Sequence, residues 1–308
     1  TVFIELKARF DEKQNIEWAT RLQNAGVIVI YGIVNLKLHA KMMIIVRKED
    51  NEILRYVHLS TGNYNENTAK LYSDISIFTA EHEIANDATL FFNMISGYSA
   101  LQTMQKIKIA PINLKSNLIS LIEREIQNSS PEKPGLIIAK MNSLAHPEVI
   151  QALYKASCAN VKIKLNVRGI CMLVPGVKNL SENIQVTSII DRYLEHSRIC
   201  YFQNGGDEEI YLSSADWMPR NLDRRVEIMF PILNKSIFTR IKSILNTYLE
   251  DTENTSILNS DGSWSKILNS QTEKTEKKFS AQKHFHELAK TIEKSQKENL
   301  TGEFVVRR

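Results

Sequence analysis

Cysteine is scarce: the chain has three, Cys158, Cys171 and Cys200, among 308 residues. That excludes the dense disulfide framework of small secreted domains and favours a reducing compartment, hence a cytoplasmic setting. Their spacings of 13 and 29 positions fit no metal motif, so small buried side chains are expected in place of ligands. No run of about 18 apolar residues exists, which excludes a conventional membrane-spanning helix. A strong charge imbalance is also missing. Residues 271–308 carry nine Lys and Arg against six Asp and Glu, which leaves 30 against 29 for residues 1–270. The net charge of +4 is therefore no argument for nucleic acid, and an anion site has to come from local placement of Lys and Arg. No short-period repeat is visible. The chain opens at Thr1 inside a strand-like run, as a piece of a longer polypeptide would.

At 308 residues, 43% of them hydrophobic, the chain is long enough for about two globular domains. Apolar, β-branched runs alternate with amphipathic stretches. The pattern predicts a strand at Val2–Leu6 and a helix over Asp11–Asn24, with Asp11 as its N-cap and Gly26 past its end. It predicts strands at 27–31, 41–47 and 53–60 and a helix over 84–98. It then restarts with helices over 113–127, 147–158 and 234–249. Strands are expected at 136–140, 161–167, 184–190, 197–202, 209–213 and 226–230. Alternation of this kind indicates an α/β fold. After about residue 252 the composition turns to Thr, Asn, Ser, Lys and Glu, the mark of a solvated, charged tail that is partly helical or disordered.

One long-range repeat is present. Leu38-His39-Ala40-Lys41 leads into an apolar strand, and so does Glu195-His196-Ser197-Arg198. Each is followed by a second strand ending in small polar residues, Ser60-Thr61-Gly62-Asn63-Tyr64-Asn65 and Ser213-Ser214-Ala215-Asp216-Trp217. In an extended chain His and cation share one side. Two such halves facing each other make one site with two imidazoles and two cations, a composition suited to phosphoryl transfer. A neutral imidazole can attack phosphorus, a protonated one can serve the leaving oxygen, and Lys and Arg neutralise the charge that develops.

These segments resemble the catalytic part of polyphosphate kinase of the histidine-dependent type. The residues that carry the resemblance are Lys7-Ala8-Arg9-Phe10-Asp11-Glu12, Leu38-His39-Ala40-Lys41, Gly62-Asn63-Tyr64-Asn65 and Leu71-Tyr72 in the first half. In the second half they are Val167-Arg168-Gly169, Asp191 to Arg198, Asn204-Gly205-Gly206-Asp207 and Tyr211 to Met218. The resemblance covers about residues 1–250. It implies two similar phospholipase-D-like α/β domains packed around a shared active site, followed by the charged tail. The domains are expected at 1–106, incomplete at its start, at 107–252, and the tail at 253–308. It implies reversible transfer of the ATP γ-phosphate to inorganic polyphosphate through a phosphohistidine, with Mg2+ as cofactor. ATP, ADP and polyphosphate are the implied partners, and nucleic acid is not among them. Homo-oligomers of the whole protein, and a cytoplasmic or peripheral position at the inner face of the membrane, complete the expectation.

The resemblance also distributes roles. His39 matches the histidine that is phosphorylated, and His196 matches the acid that protonates the departing nucleotide and contacts ATP. Tyr72 and Arg168 match nucleotide-phosphate contacts; Lys41, Arg198, Asn63 and Asn65 are further phosphate donors. Arg9 matches a residue at the magnesium–phosphate cluster. An arginine cannot ligate a cation, so Arg9 is read as gripping phosphate oxygens that the metal also holds. An upstream arginine that works with Arg9, and an N-terminal domain that contacts adenine, precede Thr1 in the family. Two rivals remain. One is a polyphosphate-binding or assembly fragment without turnover. The other is a phospholipase-D-type phosphodiesterase, which uses His-x-Lys-x4-Asp twice. Here Val46 and Gln203 stand where that motif wants Asp, and Arg198 replaces the second Lys.

Overall fold

Period-two alternation in the central strands decides the architecture. In the segment 136–141, Ile137, Ala139 and Met141 enter one hydrophobic cluster and Ile138 enters another. Cys200 and Phe202 likewise part from Ile199 and Tyr201. A strand apolar on both sides must lie in the middle of three layers. The computed structural model describes residues 1–5, 12–33, 35–100, 102–267 and 278–299, with 296–299 as backbone only.

The first half runs β1 (Val2–Ile4), α1 (Glu12–Asn24), β2 (Val29–Tyr31), β3 (Lys37–Leu38), β4 (Met42–Glu49), β5 (Glu52–Ser60), β6 (Tyr72–Ser73), β7 (Ser76–Thr79) and α2 (His82–Ile95). The second runs β8 (Lys108–Ala110), α3 (Leu114–Gln127), β9 (Leu136–Met141), α4 (Pro147–Cys158), β10 (Lys162–Val167), β11 (Ile184–Ile189), β12 (Leu194–Glu195), β13 (Arg198–Phe202), β14 (Glu209–Ser213), α5 (Pro219–Leu222), β15 (Arg225–Pro231) and α6 (Lys235–Leu249). Then come β16 (Thr255–Leu258), β17 (Trp264–Lys266) and α7 (Ala281–Asn299). The large sheet has the order β17-β16-β11-β10-β9-β13-β14-β15-β3, with β8 also on β15. Strands β9, β10 and β11 are parallel, while β13, β14 and β15 are antiparallel. In the first half β1 and β2 are a parallel pair and β4-β5-β7 an antiparallel sheet, the same parallel-then-antiparallel plan.

One face of the large sheet is covered by α3 and α4 through Leu118, Ile122, Val149 and Leu153. The other face packs on the first half itself: Val57 and Leu59 of β5 and Ile84, Ala88 and Phe91 of α2 join Ile199, Leu212, Ile228 and Phe230. Each of these side chains larger than Ala88, fully buried, contributes about 1.5–3 kcal/mol. A shared core of this kind fixes the two halves against each other.

The connection between the halves is pinned by Asp87 of α2, which is fully buried. Its carboxylate accepts hydrogen bonds from the backbone N–H groups of Gln105 (3.0 Å), Lys106 (2.6 Å) and Ile107 (2.8 Å). Asp87→Ala strands those donors at roughly 1–3 kcal/mol each, partly relieved by water. A loss on the order of 3 kcal/mol in urea unfolding is expected, and an unchanged midpoint would contradict the pin.

The stretch read from composition as a tail is in part folded. β16 pairs with β11 and β17 with β16, and Thr255 and Leu258 are buried. Its polar residues find partners: Asp251 accepts from the Thr255 hydroxyl and the Ala281 N–H, and Asn254 donates to Asp191. An edge strand needs few apolar contacts, so composition alone misplaces it. All three cysteines are free; Cys200 is buried as expected, Cys171 half-buried and Cys158 exposed. Among the described residues no helix is long and apolar enough to cross a membrane.

Candidate active site

Two very short parallel pairings carry the site, and each joins the two halves. Lys37 and Leu38 pair with Arg225 and Val226, and the His39 N–H donates to the Val226 carbonyl at 2.9 Å. The next residue on β15 is Glu227, whose Oε2 lies 2.9 Å from His39 Nδ1. Leu194 and Glu195 pair with Tyr72 and Ser73, and the His196 N–H donates to the Ser73 carbonyl at 3.2 Å. The next residue of the first half is Asp74, whose Oδ2 lies 2.8 Å from His196 Nδ1. Each imidazole is thus held by a carboxylate from the opposite half.

The hydroxyls that orient these carboxylates repeat as well. Thr61 donates to Asp74 Oδ1 at 2.7 Å and accepts from the Ile75 N–H at 3.1 Å. Ser214 donates to Glu227 Oε2 at 2.5 Å and accepts from the Ile228 N–H at 3.0 Å. Ser60 and Ser213 each accept at 3.0 Å from the N–H two residues on, those of Gly62 and Ala215. Gly62 is obligatory: a Cβ there would sit 2.1 Å from Asp74 Oδ2.

Glu227 has no exposure and also accepts from Asn221 Nδ2 at 2.7 Å. Burial works to raise its pKa, yet His39, Lys41 and Ser214 bring it below the ordinary carboxylate range. An ionised Glu227 makes His39 Nδ1 the donor and leaves the lone pair on Nε2. Burial, aided by the Lys41 and Arg198 charges and opposed by Glu227, pushes the His39 pKa down to about 4. A neutral imidazole with this tautomer can act as a nucleophile. Lys41, 6% exposed, donates to the His39 carbonyl, and burial brings its pKa down to about 7.

His196 is also held below the ordinary imidazole value, by burial first, against Asp74 and with Arg198 and Lys41. Arg198 is 3% exposed and gripped at two points by Asp216, Nε to Oδ1 at 3.3 Å and Nη2 to Oδ2 at 3.0 Å. Its Nη1 donates to the Thr61 carbonyl at 3.3 Å and lies 3.1 Å from His196 Nε2. Arg198 and Lys41 each act electrostatically on both imidazoles. In this way the structure brings His39, Lys41, His196 and Arg198 into one electrostatic unit.

Among the other candidates, the Tyr72 ring packs against His196 with centroids 4.9 Å apart. Arg168 donates to Asn142 Oδ1 at 3.1–3.2 Å and to the Glu195 carbonyl at 3.1 Å. Asn65 Oδ1 accepts from the N–H groups of Asn67 and Thr68, a turn-capping role, whereas Asn63 is exposed. Arg9 lies outside the described residues. Sequence reasoning missed Asp74 and Glu227. The available signal was an acid opening or interrupting an apolar strand, Asp74-Ile75-Ser76-Ile77 and Val226-Glu227-Ile228.

The acids nearest the histidines are all engaged: Asp74 with His196, Asp216 with Arg198, Glu227 with His39. Among the described residues no group of three or more His, Cys, Asp or Glu is arranged to hold a metal. The described side chains therefore do not fit Mg2+ as a protein-ligated ion.

The protonation pattern gives a stability prediction. The unfolded His39 takes up a proton near pH 6.5 and the folded one only near 4, so stability falls as pH drops through that window. The loss is at most about 3 kcal/mol. Lys41 acts between about 7 and 10.5, where the unfolded amine still holds the proton and stability rises with pH. Depressed Asp74, Asp216 and Glu227 add a further loss below the ordinary carboxylate range. Urea midpoints from pH 7.5 to 4.5 should fall, and His39→Gln should flatten the slope above pH 4.5. Equal slopes would contradict a buried neutral imidazole.

The profile for polyphosphate kinase C-terminal domain 1 matches residues 1–101, and that for C-terminal domain 2 matches residues 107–282. A polyphosphate kinase of Rhodopirellula baltica is 52% identical over 267 residues, 87% of this chain and 31% of the relative. One of Pseudomonas aeruginosa is also 52% identical over 267 residues, 87% of this chain and 39% of the relative. The crystal structure of polyphosphate kinase from Porphyromonas gingivalis matches with a TM-score of 0.85 at 38% identity, over 96% of this chain and 44% of that one. The chain thus spans between three and four tenths of the length of these curated relatives.

Proposed function

The chain belongs to the polyphosphate kinase family, and on that premise we propose that it carries the phosphoryl-transfer centre of an ATP:polyphosphate phosphotransferase. The observation that carries the reading is the crossed pair of imidazole–carboxylate contacts, His39 with Glu227 and His196 with Asp74.

In the proposed reaction the Nε2 lone pair of His39 attacks the γ-phosphorus of ATP. A P–N bond forms, the bond from phosphorus to the bridging β,γ-oxygen breaks, and that oxygen leaves on ADP with a proton from His196. The phosphoryl group then passes to the terminal oxygen of polyphosphate: the P–N bond breaks, a P–O bond forms, and His39 regains its lone pair. Each step runs in either direction. Glu227 fixes the tautomer of His39 and stabilises its charge when it is phosphorylated. His196 is neutral in the empty site; the negative charge of a bound nucleotide raises its proton affinity and supplies the acid form.

Tyr72, Arg168, Asn63 and Asn65 are proposed as nucleotide and polyphosphate contacts, with Lys41 and Arg198 acting through their charge. Arg9 is proposed on the phosphate oxygens that Mg2+ shares. The metal would ride on the nucleotide, where it neutralises phosphate charge, and no residue is assigned to it. The repeats are proposed to divide at 106/107, with β16 and β17 completing the second. For the whole protein a homo-oligomer, in the cytoplasm or peripheral at the inner face of the membrane, is proposed, and nucleic acid is not a proposed partner.

The test is incubation of the full-length protein and of this chain with γ-labelled ATP. Acid-labile, base-stable label on the peptide bearing His39 is the expected result. Label on the full-length protein alone would make this chain a polyphosphate-binding part without turnover. Label on neither, or on another residue, would overturn the mechanism.

A further inference from the structure

His196 has a back side that the reaction does not use. In the β6–β12 ladder Ser73 and Glu195 stand opposite each other, one residue before Asp74 and His196. Alternation sends Glu195 and Ser73 away from the imidazole. Glu195 is 2% exposed, and its carboxylate collects three partners from three segments. Oε2 accepts from Ser73 Oγ at 2.7 Å and from Lys140 Nζ of β9 at 2.9 Å. Oε1 accepts from Gln282 Nε2 of α7 at 2.6 Å. Lys140, itself 1% exposed, also donates to Ser197 Oγ at 2.9 Å and lies 4.5 Å from the Tyr248 ring centroid.

Gln282 closes on the same strand a second and third time. Its Oε1 accepts from the Tyr193 N–H at 2.9 Å and its Nε2 donates to the Tyr193 carbonyl at 2.8 Å. It thus mimics a neighbouring strand for the segment that delivers His196. The first turn of α7 is firmly seated: Ala281 is fully buried, its N–H reaches Asp251 at 2.8 Å, and Phe285 meets Tyr248 at 5.2 Å. Past that turn the described side chains of the helix are mostly exposed.

We infer that Lys140, Glu195 and Gln282 form a brace that positions His196 against Asp74, so that the first turn of the C-terminal helix is a working part of the site. The brace rests on the functional reading for its kinetic consequence but not for its geometry. A buried carboxylate with three donors cannot shift without leaving some of them unpaired, so the strand ahead of His196 is fixed. Loss of Gln282 frees that strand on one side and loosens the contact between His196 Nδ1 and Asp74. Lys140 and Gln282 are positioning residues: neither touches the imidazole.

The decisive experiment is NMR of the 15N-histidine-labelled chain carrying Gln282→Met, a change at a half-buried position that keeps side-chain length. The Nδ1–H proton of His196 should move upfield or broaden while that of His39, held by Glu227, stays in place. A general loss of stability would move neither within the folded population. In the full-length protein the same change should slow phosphorylation of His39 by ATP about tenfold. It should spare transfer from an aryl phosphate whose leaving group needs no proton. Lys140→Met should show the same selective effect more strongly, and if that variant fails to fold, Gln282→Met decides alone. An unmoved His196 proton in Gln282→Met would overturn the brace. A full-length protein that never phosphorylates His39 would instead defeat the functional reading, with the resonance still deciding the brace.

Discussion

Full-length protein carrying His39→Ala is expected to take up no label from γ-labelled ATP and to make no polyphosphate. The reasoning starts at Nε2. Glu227 holds Nδ1, and burial keeps the ring neutral down to about pH 4, so its lone pair is available throughout the physiological range. Three other histidines are held differently. His196 has the Arg198 guanidinium against its ring, with Nη1 3.1 Å from both Nδ1 and Nε2, and its Nδ1 faces Asp74. His58 is tied to the Tyr64 hydroxyl at 2.8 Å on the outer face of the β4-β5-β7 sheet, and His146 to Asp223 at 3.1 Å beside α4. Loss of an obligatory covalent step costs on the order of 6 kcal/mol or more, at least four powers of ten in rate. Normal labelling of the His39→Ala protein would move the nucleophile elsewhere. Glu227→Gln should retain the imidazole but lose its preferred tautomer. It is expected to keep the fold and lower the labelling rate by about 100- to 10,000-fold, by analogy with other imidazole–carboxylate pairs.

The sequence reaches His39 and His196 because each stands in a strand with its own local signature, a cation two residues on and an apolar run behind it. The long elements are legible for the same reason: the helix predicted over 147–158 and the strand over 209–213 coincide with α4 and β14, and most others agree within one or two residues. What escapes is what crosses between halves. Glu227 lies 188 positions from His39, and Asp74 lies 122 from His196. The strands that bring them together, β3, β6 and β12, are two residues long, too short for any periodicity. Contacts of that range are set by the shared core of β5, α2, β13 and β15, a property of the assembled fold. The carboxylate that holds His196 shows the difference. Asp191, close in sequence, instead accepts from Asn254 and Ser280, and the role falls to Asp74 from the other half. Glu195, adjacent to His196 in the chain, is engaged by Lys140 and not by the imidazole. Composition misjudged residues 253–267 because β16 and β17 add to an edge, where few apolar residues suffice.

His196→Ala should separate the two histidines by role. In the proposed reaction the leaving group is ADP, whose bridging oxygen leaves poorly until it receives a proton. In the proposed reaction His196 makes that transfer, and it is clamped through Nδ1 by both oxygens of Asp74 at 2.8 and 2.9 Å. The clamp raises its proton affinity, while burial, Arg198 and Lys41 lower it, so the balance shifts when phosphate oxygens bring negative charge against it. A group poised in this way can accept a proton with the nucleotide and release it in the transition state. General acid catalysis is typically worth about 100- to 10,000-fold. Phosphorylation of His39 by ATP in the full-length His196→Ala protein should therefore slow by that factor. Phosphorylation by an aryl phosphate with an acidic phenol should slow by less than about tenfold, because that oxygen leaves unaided. The Asp74→Asn protein should fall between wild type and His196→Ala with ATP and be nearly normal with the aryl donor, since its imidazole remains but is less firmly oriented. The measurement is single-turnover labelling of His39 with each donor. Equal slowing with both would show that His196 serves to hold phosphate in place, and the proton would then have to come from solvent or from Lys41, whose pKa of about 7 makes it the next available acid.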